Sequence, residues 1–312
     1  MKKKLSYFSD LLWALAIILA LCLYAFFSYC EHTTFEESPI GKNEYGYMYN
    51  RTCTNCGVNW HKKYKAIVTF IDDDGRTQAM LHWEKIIDAT GIPMTSAIIP
   101  KKIKDTTNYD NCYSYAGWDL LDRMAEKGVE LVNHTYSHTR LTTMTPEEIR
   151  EDFEKSINIL SEHGIDSNIL VYPFYNYNDE VMDIAKEYFD AAFCGNDKAI
   201  VDVTASPLAL DRVKIEDTSK PRTIKFTKKI VVDCYTVKSA KAMIKDLKKT
   251  ILKSGWLVYV VHAHDSPSGQ YYFDETSEQT VIDFCNYVFS RSKKDIKIVT
   301  ASEGLIAAQP IS

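Results

Sequence analysis

Three short stretches of the sequence place ionisable side chains directly after apolar runs. The stretches are VTFIDDDGRT, VNHTYSHT and VYVVHAHD, and the side chains are Asp72, Asp73, Asp74, His134, His138, His262 and His264. Two His residues four positions apart can present both imidazoles to one point. Two His with one carboxylate and an open fourth position form the ligand set of a hydrolytic zinc site. The sequence therefore predicts a metal-dependent hydrolase.

Alternating strands and helices from Lys65 onwards are the elements that must position these side chains. KAIVTFI, VELVN and WLVYVVH have the apolar pattern of buried strands, and RTIKFTKKIVVDCYT alternates like one further strand. Thr145, Pro146 and Glu148 form the capping signature of a long helix. This order predicts an α/β fold, a distorted (β/α) barrel, in which active-site residues lie at the C-terminal ends of the strands.

The N-terminal segment predicts a membrane anchor. Residues 11–30 carry no charged side chain, and twenty such residues suffice for a helix that spans a bilayer. Lysines precede this segment and glutamates follow it, so residues 1–10 are predicted to be a cytoplasmic tail of a single-pass protein with an extracellular catalytic domain. A cleaved signal peptide is the alternative. Residues 31–62 are predicted to be an irregular stalk plus an entry segment held by the Cys53 and Cys56 pair, and residues 63–308 the catalytic domain.

The eight cysteines include one close pair, Cys53 and Cys56. A local disulfide is the favoured interpretation of this pair, while a redox couple and half of a zinc site remain open. A second CxxC that would complete four zinc ligands is missing from the sequence. The net charge of −5 gives no indication of a nucleic-acid partner.

The order of the motifs resembles that of the NodB-type polysaccharide deacetylases, carbohydrate esterase family 4. VTFIDDDG and VNHTYSHTRLTTMTPEEI resemble the first two motifs of that family. YPFYNYNDEVMDIAK resembles the third motif region, and WLVYVVH resembles the strand that carries the last catalytic His. The resemblance covers residues 63–308 and implies the NodB homology fold, a distorted barrel that binds one divalent metal, usually zinc.

The resemblance also implies roles for the acidic triplet and the two spaced His residues. Asp74, His134 and His138 correspond to the metal ligands, and Asp73 corresponds to the general base. A shift by one residue would make Asp72 the base and Asp73 the ligand, and that alternative stays open. A base beside a metal can accept a proton from water as the water attacks an acetamide carbon.

Two further roles follow from the later motifs. By resemblance, the backbone N–H of Phe174 would help to hold the oxyanion. A His at the end of the last strand would donate a proton to the leaving amine. His262 is favoured by strand length and His264 by the family's His-Asp pair. Both would face the same side of an extended strand, so periodicity does not choose between them.

Two departures from the family pattern concern the residues that support the base and the acid. Val171 occupies the position of the Arg that orients the base in many members, and Arg212 is the candidate to replace it. The family's fourth motif, an Asp that tunes the acid His, has no clear counterpart. Asp233 and Asp265 are the candidates for that position.

The resemblance implies a deacetylase that removes N-acetyl groups from an extracellular glycan containing GlcNAc or MurNAc. Peptidoglycan and an exopolysaccharide are the expected substrate classes, and the N-terminal helix would contact the membrane. One alternative is a catalytically silent glycan-binding or cell-wall protein on the same fold. Another is an O-acetyl esterase that uses the same metal site.

Overall fold

A computed structural model describes most of the chain. The described residues are 13, 15–22, 30, 32–111, 114–166, 168–195, 201, 203–204, 206–216, 222–225, 231–234, 237–262, 273–292 and 295–311. Residue 13 and residues 15–22 are helical. Among the described residues, no helix combines the length and the apolar character needed to cross a bilayer. Much of the predicted anchor at 11–30 lies outside them, so the anchor remains a prediction.

The segment predicted to be an irregular stalk forms a small antiparallel sheet. Its strands are β1 (Phe35–Asn43), β2 (Gly46–Cys53) and β3 (Asn59–Tyr64), in the order β1-β2-β3. Tyr47, Tyr49 and Tyr64 are buried and pack with Trp256 of the barrel core. The expectation of an irregular backbone was wrong because the apolar contribution of these strands comes from spaced tyrosines within a polar sequence, whereas the stalk and entry role remains a prediction. The predicted Cys53–Cys56 disulfide is absent as well, since both residues are free thiols.

A curled parallel sheet forms the centre of the molecule, as predicted. The remaining strands along the chain are β4 (Ala66–Asp74), β5 (Met94–Ile98), β6 (Val129–Asn133), β7 (Ile169–Val171), β8 (Ala191–Phe193), β9 (Val213–Lys214), β10 (Arg222–Lys225), β11 (Val231–Cys234), β12 (Trp256–Val261) and β13 (Ile296–Ile298). The order across the sheet is β8-β7-β6-β5-β4-β12-β9, and β13 pairs with the beginning of β4.

The two edges of this sheet approach each other through the segment before β9. Leu210 N–H donates to the carbonyl of Ala192 at 2.8 Å, and Cys194 N–H donates to the carbonyl of Leu210 at 2.8 Å. Leu210 also forms a parallel bridge with Phe193 at the end of β8. These contacts give the sheet the form of a distorted (β/α) barrel.

Helices connect most of the strands. They are α1 (Thr77–Thr90), α2 (Trp118–Glu126), α3 (Pro146–Glu162), α4 (Asp179–Ala185), α5 (Ala240–Leu252), α6 (Glu275–Ser292) and α7 (Ala301–Ala308). The predicted capping box at the start of α3 is confirmed: Glu148 N–H donates to Thr145 Oγ1 at 3.3 Å, and Thr145 N–H donates to Glu148 Oε2 at 2.8 Å. The single strand predicted around residues 222–234 is instead the antiparallel pair β10 and β11.

The two faces of the barrel sheet have separate apolar cores. On β4, Val68 and Phe70 pack in the outer core with α1 and α6. Ile67 and Ile71 face the inner core. Because side chains alternate along a strand, Asp72 is on the outer face and Asp73 is on the inner face. The strand geometry alone therefore places Asp72 and Asp73 on opposite faces of the sheet.

Candidate active site

The acidic triplet at the end of β4 is divided between two environments. Asp72 is buried on the helix side, and its Oδ2 accepts a hydrogen bond from Trp83 Nε1 at 3.1 Å. Asp74 has a positive φ of 84°, which interrupts the strand alternation immediately after Asp73. Asp73 and Asp74 can therefore both face the barrel opening. This geometry favours Asp73 and Asp74, rather than Asp72, as the functional pair.

Gly75 allows the chain to turn directly after these two carboxylates. Its φ is 65°, a backbone conformation that glycine adopts without strain. A Cβ atom at this position would lie 2.8 Å from Cγ2 of Ile98 on the neighbouring strand. The turn thus requires both the conformational freedom and the small volume of glycine.

Asp74, His134 and His138 converge as the resemblance implied. His134 Nε2 lies 3.7 Å from Asp74 Oδ1, and His138 Nε2 lies 3.4 Å from the same oxygen. The three potential ligand atoms are all within 4.8 Å of one another. Ligands about 2.0–2.2 Å from a tetrahedral zinc ion would be separated by about 3.4 Å. The arrangement therefore fits one divalent metal ion.

Backbone contacts fix the direction of the two imidazoles. His134 Nδ1 donates to the carbonyl of Val171 at 2.7 Å, which leaves Nε2 directed towards Asp74. His138 has a φ of 54°, and its N–H donates to Thr135 Oγ1 at 3.1 Å. The carbonyl of Val171 thus accepts the hydrogen bond that orients His134. The Val171 side chain stands where many family members have Arg.

Two residues that the sequence analysis did not identify hold the loop between the histidines. Asn133 Oδ1 accepts hydrogen bonds from Thr135 N–H and Ser156 Oγ, each at 2.8 Å. Asp152 of α3 accepts from Tyr136 N–H at 2.7 Å and from the N–H of Ser137. The sequence signal for Asp152 was an acidic residue on the face of α3 that is directed towards the strand end.

His134 and His138 are neutral at physiological pH. Burial, reinforced by the neighbouring His134 and opposed by Asp74, lowers the pKa of His138 to about 4. Burial likewise lowers the pKa of His134 below its ordinary value. Neutral imidazoles have the lone pair that metal binding requires. Their protonation state is therefore already that of ligands.

Arg212 lies against Asp73 as a bidentate partner. Its Nη1 and Nη2 atoms donate to the two carboxylate oxygens at 2.6 and 3.0 Å, and both side chains are buried. Arg212 Nε also donates to the carbonyl of Cys194 at 2.9 Å. Burial opposes ionisation of Asp73, but the charges of Arg212 and His262 outweigh it and hold the pKa of Asp73 below its ordinary value. Asp73 is therefore an oriented, ionised carboxylate.

His262 follows β12 and contacts the same carboxylate. Its Nε2 lies 3.6 Å from Asp73 Oδ2, and its Nδ1 lies 3.9 Å from Glu216 Oε1. Burial opposes the charged imidazole, but Glu216 and Asp73 outweigh it and raise the pKa of His262 to about 9. The imidazole is consequently protonated at neutral pH and can act as a proton donor.

Glu216 is the functional candidate that the sequence analysis missed. It is buried and lies beside His262, where an acidic residue was sought at Asp233 or Asp265. His264 and Asp265 lie outside the described residues, as does the side chain of Asp233. The alternating pattern Arg212, Lys214, Glu216 was the signal, because residues two apart on a strand share one face.

Phe174 lies at the rim of the site. Its φ is 56°, and its side chain is 47% exposed. The Phe174 ring centroid is 4.6 Å from that of His138, and the guanidinium of Arg140 lies 4.6 Å from the same ring. An exposed aromatic ring beside these potential metal ligands is suited to contact a sugar face. The oxyanion role of the Phe174 N–H remains a prediction.

One solved structure shares this fold with a TM-score above 0.5, and others are less similar. A Mycobacterium smegmatis protein assigned to the polysaccharide deacetylases is 13% identical, with a TM-score of 0.54 and coverage of 82% of this chain and 96% of that one. A peptidoglycan deacetylase from Bacillus subtilis is 16% identical, with a TM-score of 0.46 and coverage of 77% and 90%. A family 4 carbohydrate esterase from Streptomyces lividans is 12% identical, with a TM-score of 0.46 and coverage of 75% and 91%.

The match to a sequence family covers a shorter part of the chain than the structural matches do. No curated protein matches the chain. Residues 61–189 match the family described as polysaccharide deacetylase, a span that includes Asp73, Asp74, His134 and His138 but ends before Arg212. The resemblance found in the motifs is thereby confirmed for residues 61–189, which match the polysaccharide deacetylase family.

Proposed function

We propose that the protein is a metal-dependent deacetylase that removes N-acetyl groups from an extracellular glycan containing GlcNAc or MurNAc, such as peptidoglycan or an exopolysaccharide. One observation carries this proposal. The ionised carboxylate of Asp73 lies between Arg212 and a protonated His262, beside the convergent Asp74, His134 and His138. A base, an acid and a metal-ligand set at one strand-end opening are the components of hydrolytic acyl transfer.

Each residue has a defined task in this proposal. Zn²⁺ held by Asp74, His134 and His138 would supply Lewis-acid activation of water and of the acetyl oxygen. Asp73, fixed by Arg212, accepts the proton of the attacking water. His262 donates its proton to the departing nitrogen, and the N–H of Phe174 donates a hydrogen bond to the oxygen on which negative charge develops.

The protonation state of His262 supports amide rather than ester cleavage. An amine is a poor leaving group until it is protonated, so N-deacetylation requires an acid that retains its proton at neutral pH. Glu216 and Asp73 provide this condition by raising the pKa of His262 to about 9. An O-acetyl ester has a better leaving group and depends less on such an acid. The O-acetyl esterase therefore remains the second candidate.

A catalytically silent protein is less consistent with the site. The Arg missing from the third motif has a spatial substitute in Arg212, whose two bonds to Asp73 are 2.6 and 3.0 Å long. A protein without turnover would not need the buried Arg212–Asp73 ion pair beside two neutral imidazoles, because burying charges costs free energy. The proposed location, an extracellular domain anchored by residues 11–30, rests on the uncharged N-terminal segment and its flanking charges.

The test is acetate release by the full chain in detergent. Substrates are N-acetylated chitooligosaccharides, peptidoglycan and O-acetylated xylan, each with added zinc and after chelation. We expect zinc-dependent release from an N-acetylated substrate and its loss in Asp74→Asn and His138→Ala. His61→Ala removes an exposed imidazole on β3 and is the matched control. Full activity of either ligand variant, or release from O-acetylated xylan alone, would overturn the proposal.

A further inference from the structure

A second group of metal-ligating side chains lies at the small sheet, apart from the active-site residues. The ligand atoms of Cys30, His32, Cys53 and Cys56 are all within 4.8 Å of one another. Cys30 and His32 precede β1, Cys53 ends β2, and Cys56 lies in the turn that leads to β3. The Cys53–Cys56 pair is half of a zinc-ligand set in the sequence. Folding places a second pair, separated by one residue, beside it.

The distances within this group match those of a tetrahedral zinc centre. Cys30 Sγ lies 3.4 Å from Cys53 Sγ, and Cys56 Sγ lies 3.4 Å from His32 Nδ1. Zn–S bonds of about 2.3 Å and Zn–N bonds of about 2.0–2.1 Å give S···S separations of about 3.8 Å and S···N separations of about 3.6 Å. A disulfide would require the sulfurs to approach to about 2.05 Å. The observed spacing is too long for a disulfide and within about 0.4 Å of the separations expected for co-ligands.

Backbone hydrogen bonds fix the turn that carries Cys53 and Cys56. Gly57, with a φ of 72°, closes the turn by donating its N–H to the carbonyl of Cys53 at 2.9 Å. The N–H of Cys53 donates to the carbonyl of Val58 at 2.9 Å. The turn therefore holds the two cysteines at a fixed separation beside Cys30 and His32.

His32 is held in a conformation that a non-glycine residue rarely adopts. Its φ is 47°, in the left-handed region. Its ring lies against Trp60 of β3, with the centroids 5.7 Å apart in an edge-to-face arrangement. Such strain persists where surrounding contacts require it, and functional positions are where it concentrates. Here the strained backbone and the Trp60 contact direct His32 Nδ1 to the cysteine group.

We propose that Cys30, His32, Cys53 and Cys56 bind one structural Zn²⁺ ion. Four protein ligands leave no open position, which distinguishes a structural site from a catalytic one. The ion would join the chain before β1 to the turn between β2 and β3. Binding would release the thiol protons and fix the small sheet that covers the inner core. The site is independent of the proposed deacetylase chemistry.

Metal content of the full chain, purified in detergent with zinc and without reductant, tests the proposal. We expect two zinc ions per chain. The double variant His134→Ala/His138→Ala should retain one, and adding Cys53→Ser/Cys56→Ser should remove it. Cys22→Ser removes a thiol outside the group and is the matched control. A zinc content in the His134→Ala/His138→Ala background that does not fall when the two cysteines are replaced would overturn the proposal.

Cobalt substitution provides a second readout that does not depend on the folding of variants. Thiolate ligands give cobalt an intense ligand-to-metal charge-transfer absorption, whereas Asp and His ligands do not. We expect this absorption in the unmodified chain. Its absence in a chain that has taken up cobalt would refute thiolate ligation, as would alkylation and mass analysis showing Cys30, Cys53 or Cys56 in disulfides. Failure of acetate release would leave this result unaffected, so the two proposals are separable.

Discussion

Replacing Arg212 by Met should show how much the Arg212–Asp73 ion pair contributes to the free energy of unfolding. The two hydrogen bonds of 2.6 and 3.0 Å place the charge centres about 4 Å apart, where their attraction is about 4 kcal/mol at an effective dielectric constant of about 20. Both side chains are buried, so water cannot replace the lost partner. We expect Arg212→Met to lower the free energy of unfolding by about 3–5 kcal/mol at pH 7.

The pH dependence of this loss has a defined sign. In the native chain the pKa of Asp73 is lowered, so its stabilising contribution is present above the unfolded-state pKa and is lost as the pH falls through the folded-state pKa. Without Arg212 the burial of Asp73 is no longer offset to the same extent, and the pKa of Asp73 should rise. The difference between variant and native chain should therefore shrink on acidification.

Urea unfolding of the full chain in detergent measures these effects. Asp73→Asn in the Arg212→Met background should recover part of the loss, because it removes the unpaired charge. Arg123→Met is the matched control, since Arg123 is 41% exposed where it pairs with Glu84 and should cost about 1 kcal/mol or less. The reasoning would be refuted if Arg212→Met cost no more than Arg123→Met, or if Asp73→Asn gave no recovery.

Three further substitutions probe the site. Glu216→Gln removes an anion beside His262 and should lower its pKa from about 9, so the basic limb of the kcat/KM–pH profile should move to lower pH; an unchanged limb would contradict the assignment. Asp72→Asn can still accept the Trp83 hydrogen bond and should leave kcat/KM unchanged, whereas Asp73→Asn should reduce it by about 10²–10⁴-fold. Gly75→Ala should lower the free energy of unfolding by about 1–3 kcal/mol and weaken zinc binding, as measured by urea unfolding and metal titration; native values of both would exclude the proposed steric role.

Local sequence patterns predicted most of the strands and helices of the barrel. Continuous apolar runs identified β4, β6 and β12, and the Thr145–Glu148 capping box located the start of α3, because each depends on neighbours in sequence. The convergence of His134 and His138 with Asp74 was accessible for the same reason, once strand ends were assumed to share one edge. The helix α7 was not anticipated, and the pair β10–β11 was read as one strand.

Contacts between distant segments could not be read from the sequence. Glu216 acts on His262 from 46 positions away, and only the pairing of β9 with β12 brings their segments together. The small sheet was missed because Tyr47 and Tyr49 become core residues only when the barrel provides a surface for them. Asp72 and Asp73 could be separated by alternation alone, but the positive φ of Asp74, which keeps it beside Asp73, is a property of the folded turn.

The small sheet has a practical consequence for recombinant fragments. A fragment that begins at residue 63, where the motif resemblance begins, would lack β1, β2 and almost all of β3. The inner core that contains Trp256 and Ile67 would lose Tyr47 and Tyr49 and would present apolar surface to solvent. Such a fragment should express poorly and be sensitive to proteases, although it contains every proposed active-site residue. A fragment that begins before Cys30 retains this cover, and its solubility would show that the folding unit extends well beyond the catalytic residues.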